Sequence, residues 1–140
     1  PEEAEDVFCL RLKLEPEAAG AACLVADDAR RETAISALSG LEAMLRDDPE
    51  NAVRYNRNFH LALVQNPLRK QTAHMVERLH LVAERYVRKH LEPAGRNERA
   101  DREHRDILDA WLARDAATVE AKLTAHLQTT LDELREEVAR

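Results

Sequence analysis

The sequence predicts an all-α fold, an antiparallel bundle of about six to seven helices. Apolar residues recur at helical spacing along most of the chain. The 3 glycines and the 4% aromatic content are too low for an all-β fold, which needs turn glycines and aromatic or β-branched strands. Helix-start signals recur with short connections between them, and short connections favour antiparallel neighbours. With 140 residues, we expect a single domain over 1–140.

Proline and capping residues divide the chain into these helices. Pro16 suits the first helical position, where a missing N–H costs nothing. Asp48-Pro49 and Asn66-Pro67 each place a capping side chain before such a proline. Further N-cap candidates are Asp27 or Asp28, Asn97 and Asp115. Together these signals predict helices at residues 3–14, 16–26, 28–47, 49–65, 67–91, 97–113 and 115–139.

Charge and hydropathy narrow the function classes. The 21 basic and 27 acidic residues give a net charge of −6, which argues against a DNA-binding surface. No apolar run approaches the roughly 18 residues that cross a bilayer, and no signal peptide is evident. We therefore expect a soluble, cytoplasmic protein with no membrane partner. The sequence begins at Pro1 without an initiator Met, so we expect a piece of a longer chain.

Four polar side chains lie on predicted apolar faces: Asn56 and His60 in the fourth helix, His104 in the sixth and His126 in the last. Asn56 and His60 are four residues apart, so they lie about 6 Å apart on one face. His104 and His126 lie eleven residues either side of Asp115, which places them face to face in an antiparallel hairpin. Three imidazoles and one amide oxygen would suit zinc, nickel, manganese or iron.

Other interpretations of these histidines stay open. A histidine on an apolar face is also found as an ordinary hydrogen-bonded core residue. Two further histidines compete for the same region. His74 shares its face with Lys70 and Glu77, so we expect it to be exposed. His80 is flanked by apolar residues such as Val76 on its own stripe, so we expect it to line the same cavity and contact a bound ligand.

Five segments in order resemble a known family. They are Arg11–Ala19, Asn56–His60, Glu103–Ala110, Arg114–Ala116 and His126–Leu127. Together they resemble the FadR C-terminal domain (FCD), the effector-binding domain of one subfamily of GntR-type bacterial transcription regulators. The resemblance covers essentially the whole chain. It implies an all-helical domain whose core binds a divalent metal, commonly zinc, nickel or manganese, and a small organic acid at the open positions of the metal.

The resemblance also implies individual roles. His60, His104 and His126 match the histidine ligands of the family, and Asn56 stands where the family often has Asp. A neutral amide leaves the metal its full double charge, so we expect weaker metal retention and a stronger pull on an anion. Arg11 matches an arginine that pairs with the carboxylate of the effector, which a guanidinium can hold bidentately.

These residues predict an effector-sensing domain rather than an enzyme. We expect a small organic acid to bind a homodimer and to bias the spacing of attached DNA-reading domains. The winged helix-turn-helix domain that precedes an FCD domain has no trace in this sequence. We therefore expect DNA to be reached only through a missing N-terminal domain.

Two other functions compete with this prediction. Glu77 and His80 form a Glu-x-x-His pair, as in di-metal carboxylate enzymes, but such enzymes need two pairs and two further glutamates. A single-metal hydrolase would need a base at the metal, and Glu103 points about 100° away from its neighbour His104. The remaining alternative is a structural helical dimerisation module with core histidines, which would hold no metal.

Overall fold

A computed structural model describes residues 2–90 and 96–140. These residues form six α-helices and no strand, which confirms the predicted all-α bundle. The helices are α1 (Glu2–Val25), α2 (Asp28–Asp47), α3 (Ala52–Val64), α4 (Lys70–His90), α5 (Arg96–Leu112) and α6 (Ala116–Ala139). A 3₁₀ turn at Pro49–Asn51 leads into α3. Helix α1 packs against α3, α4 and α6, while α5 packs against α2 and α6.

The predicted break before Pro16 is wrong, because α1 continues through Pro16 as one helix. A proline inside a helix removes one backbone hydrogen bond and costs about 3 kcal/mol. Side chains on both sides of it are fully buried, including Phe8 before it and Ala19 and Cys23 after it. Burial of this whole face outweighs the local cost, as packing usually outweighs propensity.

Two of the predicted N-caps are confirmed. The Asp27 carboxylate accepts a hydrogen bond from the backbone N–H of Arg30 at 2.9 Å, at the start of α2. The Asp115 carboxylate accepts one from the N–H of Thr118 at 3.2 Å, at the start of α6. Asn97 is not the start of its helix, because α5 already begins one residue earlier.

The two Asx-Pro signals place the helix starts too early. Asn66 Oδ1 accepts from the N–H of Leu68 at 2.9 Å, and this local turn delays α4 until Lys70. Asp48 does not cap a helix with its side chain. Its carboxylate accepts from Asn51 Nδ2 at 2.5 Å within the 3₁₀ turn. In both places the side chain stabilises a turn that precedes the α-helix.

Two side chains, Trp111 and Arg114, make long-range hydrogen bonds that hold the helices carrying the polar residues. Trp111 Nε1 donates to the carbonyl of Leu63 at 3.0 Å and ties α5 to α3. Arg114, with a left-handed φ of 58°, closes the turn between α5 and α6. Its guanidinium donates to the carbonyls of Cys23 and Ala26 at 2.9 and 2.8 Å, which anchors that turn to the end of α1. None of the described helices is long and apolar enough to cross a membrane.

Candidate metal centre

Three buried histidines from three helices converge in the core of the bundle. His60 of α3, His104 of α5 and His126 of α6 are only 1%, 3% and 5% exposed. Each offers one ring nitrogen, and these three nitrogens lie within 4.8 Å of one another. The ring centroids are 5.4 Å apart for His60 and His104, and 4.7 Å apart for His104 and His126. The predicted convergence of the imidazoles is therefore present.

Several ring nitrogens of this cluster have no hydrogen-bond partner. His60 Nε2 and both nitrogens of His104 are buried and unpaired. The other nitrogen of His60, Nδ1, lies 2.6 Å from Glu15 Oε1, and His126 Nδ1 lies 3.0 Å from Glu103 Oε1. A carboxylate that accepts from Nδ1 leaves the lone pair on Nε2, which is how metal-binding histidines are usually oriented. The donor set therefore fits a divalent metal.

The rings are held in the form that binds metals. Burial lowers the pKa of His60 to about 4, and the Glu15 carboxylate offsets this only in part. Burial also lowers the pKa of His104 well below its ordinary value, and the neighbouring His126 and His60 lower it further. Burial likewise lowers the pKa of His126. All three imidazoles are consequently neutral near pH 7, and a neutral ring has a lone pair to donate.

The histidines line a cavity of about 250 Å³ that also contains two of the predicted site residues. Arg11 lies in its wall and is only 4% exposed, so this arginine is not a surface residue. Asn56 is half-buried and lines the same cavity one helical turn before His60. Two residues that were not predicted from the sequence, Arg99 and Glu133, bring one charge of each sign to the cavity wall. The volume is close to the lower end for small-molecule pockets, roughly 300 Å³.

A family model for the FCD domain matches residues 6–129. The chain belongs to the FCD domain family. Its fold is similar to that of Streptococcus agalactiae GntR, with a TM-score of 0.81 and 15% identity over 94% of this chain. It is equally similar to a GntR-family transcriptional regulator of Pseudomonas syringae pv. tomato str. DC3000, with a TM-score of 0.81 and 24% identity over 99% of this chain. No curated protein matches the chain.

The family resemblance predicted from the sequence is thereby confirmed. The FCD domain spans 59% of the length of each of these two structures, so the solved regulators contain further regions. The family match identifies the chain as an FCD domain, and the two solved structures, at 15% and 24% identity, share its fold.

The FCD domain contains a buried carboxylate that the sequence analysis missed. Glu15 of α1 is fully buried and accepts from Arg11 Nε on Oε2 at 3.0 Å. Its other oxygen, Oε1, lies 2.6 Å from His60 Nδ1 and 3.0 Å from His80 Nε2. Burial alone would raise the pKa of Glu15, but Arg11, His80 and His60 together lower it well below its ordinary value. The one signal in the sequence is that Arg11 and Glu15 are four residues apart.

His80 occupies a different position from the one expected. It is 3% exposed, yet it is not among the residues that line the described cavity. Its Nε2 instead contacts Glu15, and Glu15, His60 and His80 form a second group whose ligand atoms lie within 4.8 Å of one another. The Arg11 guanidinium already neutralises Glu15, so this carboxylate has little charge left to attract a divalent cation. The cluster of His60, His104 and His126 is therefore the better metal candidate.

The residues on which the two enzyme alternatives depend do not form a catalytic metal site in the described part of the chain. Glu77 is exposed while His80 is buried, so the Glu-x-x-His pair does not face one cavity. The Glu103 carboxylate pairs with His126 Nδ1 and with Arg99. Glu103 therefore orients the His126 ring of the cluster, and its own side chain is partly exposed. His74 is exposed, as its charged neighbours predict.

Proposed function

We propose that this FCD domain is the effector-sensing domain of a GntR-type transcription regulator, and that it binds a divalent metal and a small carboxylate in one cavity. The observation that carries the proposal is the set of neutral, buried imidazoles with unpaired nitrogens at the cavity that Arg11 also lines. Leaving a buried polar group unpaired costs about 1–3 kcal/mol, so a core built only for stability would not favour this arrangement.

His60, His104 and His126 would hold the metal, with the amide oxygen of Asn56 as a fourth ligand. Zinc is the metal we favour, because neutral imidazoles suit it well and a mixed nitrogen and oxygen set is common at its sites. Nickel, manganese or iron would also accept these donors. When bound, the metal supplies an uncompensated positive charge and open coordination positions for an anion.

Arg11 would recognise the anionic group of the effector. Its guanidinium lies in the cavity wall, and such a group can bind a carboxylate through two parallel hydrogen bonds. Hydroxy acids, sugar acids and dicarboxylates combine a carboxylate with a second oxygen ligand. A cavity of about 250 Å³ suits an acid of this size.

DNA would be contacted by another domain of the regulator, and not by this one. We propose that two copies associate as a homodimer and that a winged helix-turn-helix domain of the same regulator contacts the operator. The net charge of −6 supports a domain that does not bind DNA itself. An effector would shift the regulator between two arrangements only to the extent that it binds one of them more tightly.

Elemental analysis of the purified domain, before and after chelation, tests the metal site. We expect close to one equivalent of metal per chain, with a drop in Tm when the chelator removes it. His104→Ala should lose the metal. His74→Ala is the matched control, because His74 is exposed and should leave the metal content unchanged. Equal metal content in both variants would refute the ligand assignment, and a domain that takes up no metal would favour the structural dimerisation module.

A further inference from the structure

The buried carboxylate of Glu15 in α1 links His60 of the candidate metal centre to His80 of α4. The Oε1 atom of Glu15 contacts His60 Nδ1 at 2.6 Å and His80 Nε2 at 3.0 Å, while Oε2 accepts from Arg11 Nε at 3.0 Å. Glu15, His60 and His80 are at most 3% exposed, so water does not compete for these contacts. The three partners come from α1, α3 and α4.

We infer that Glu15 and His80 are positioning residues of the metal site: Glu15 fixes the tautomer and orientation of His60, and His80 holds the Glu15 carboxylate in place. This inference rests on the proposed function, since it concerns the same metal site. Neither residue would touch the metal.

The role of Glu15 follows from where the imidazole of His60 carries its proton. A neutral ring carries one N–H, and an ionised carboxylate can only accept. The 2.6 Å contact therefore places the proton of His60 on Nδ1 and the lone pair on Nε2. That Nε2 atom is the buried, unpaired one, and His60 is a member of the cluster with His104 and His126. Without Glu15, the proton could move to Nε2 and block the metal.

The role of His80 follows from where its ring lies. His80 is buried beside Glu15 but is not among the residues lining the described cavity, so its contact with Glu15 is the polar role that the structure gives it. It donates to the same oxygen that accepts from His60. This second donor restrains the carboxylate from rotating away from the ring of His60.

Mutation of such outer partners typically weakens metal binding by 10–100-fold. We therefore expect Glu15→Gln to lower zinc affinity by about 10- to 100-fold, measured by competition with a chromophoric chelator. His80→Leu should lower the affinity as well, while His80→Gln, which keeps an N–H donor, should restore most of it. Glu17→Gln is the matched control, because Glu17 is an exposed glutamate of α1 that pairs with Arg69.

A second readout does not depend on bound metal. Long-range ¹H–¹⁵N NMR spectra of the metal-free domain report which nitrogen of each imidazole carries the proton. We expect the His60 proton on Nδ1 in the unmodified domain, and a mixture of tautomers in Glu15→Gln. Since that substitution leaves Arg11 buried without a charged partner, the double variant Arg11→Met/Glu15→Gln provides a second test in which the charge pair is removed as a whole.

The outcomes separate this inference from the proposed function. If His104→Ala loses zinc but Glu15→Gln keeps full affinity, the metal site stands and the positioning role is overturned. If the unmodified domain binds no zinc, the proposed function fails, and the tautomer spectra still test the effect of Glu15 on His60. A His60 proton found on Nε2 in the metal-free domain overturns the inference directly.

Discussion

His104 and His126 meet edge to face, with their ring centroids 4.7 Å apart, across the hairpin that α5 and α6 form. Asp115 caps α6 between them, and Arg114 adopts a left-handed conformation that closes the turn. The register of this one turn therefore decides whether two of the three cluster histidines meet.

Replacing His104 should separate metal binding from stability. His104→Leu removes two buried nitrogens that have no partner, at similar side-chain volume. We expect the free energy of unfolding of the metal-free domain to rise by about 1–3 kcal/mol, while zinc binding is lost. Urea denaturation in the presence of a chelator measures the first effect. A destabilised metal-free variant would mean that His104 is an ordinary, satisfied core residue.

Asn56→Asp should strengthen the metal site. A carboxylate adds a negative charge to the ligand set, so we expect zinc affinity to rise about tenfold, which corresponds to about 1.4 kcal/mol. The affinity of the zinc-loaded domain for small carboxylates should fall, because the net charge of the centre is lower. Asn58→Asp on the exposed side of α3 is the control. Equal zinc affinities for the two variants would remove Asn56 from the site.

Arg11→Lys should weaken effector binding more than it weakens the fold. Lysine keeps a cation beside Glu15 but cannot form two parallel hydrogen bonds to a carboxylate. We expect about a tenfold loss of affinity, or about 1.4 kcal/mol, for the hydroxy acid or dicarboxylate that gives the largest thermal shift. Arg85→Lys serves as control, since Arg85 is a 70% exposed side chain that pairs with Glu3. Isothermal titration calorimetry should show no change for the control.

The metal-free domain should lose stability as the pH falls below neutral. The pKa of His60 is about 4 in the folded domain and 6.5 when the ring is solvated, so the unfolded chain binds the proton more readily. The contribution of His60 is fully present above pH 6.5 and is lost as the pH falls towards 4. It is on the order of 3 kcal/mol. Urea unfolding between pH 7.5 and 4 measures it, and a flat profile over that range would contradict the burial of a neutral ring.

Two glycines in helices should respond oppositely to alanine. A Cβ at Gly40 would lie 3.4 Å from the nearest atom of Tyr55, an ordinary contact, so Gly40→Ala should stabilise the domain by about 0.5–1 kcal/mol. A Cβ at Gly20 would lie 3.2 Å from the backbone carbonyl of Ala116, which cannot easily move. Gly20→Ala should therefore lower the Tm, because α1 and α6 would be forced apart. Thermal denaturation of both variants checks the pair.

The histidine cluster could be predicted from the sequence because it depends on local rules. Helical spacing placed His60, His104 and His126 on apolar faces, and a single capped turn set His104 against His126. The confirmed cap at Asp115 shows why this reasoning worked: the residues that define the hairpin are next to the turn itself.

Glu15 could not be predicted in the same way. Its partners His60 and His80 are 45 and 65 residues away, on helices whose relative positions depend on packing. The proline rule also ended one helix at residue 14 and began the next at Pro16, which hid the continuous buried face of α1. A local preference of about 3 kcal/mol was overridden by burial that only the assembled bundle reveals.

Trp111, whose indole N–H donates to the carbonyl of Leu63, is an intrinsic fluorescence probe of the domain. Trp111 is the single tryptophan of the sequence, it is fully buried, and it lies on the same helix as His104. Its fluorescence emission should therefore lie at short wavelength and shift to the red when α3 and α5 separate. Changes around the cavity can then be followed in real time without attaching a dye.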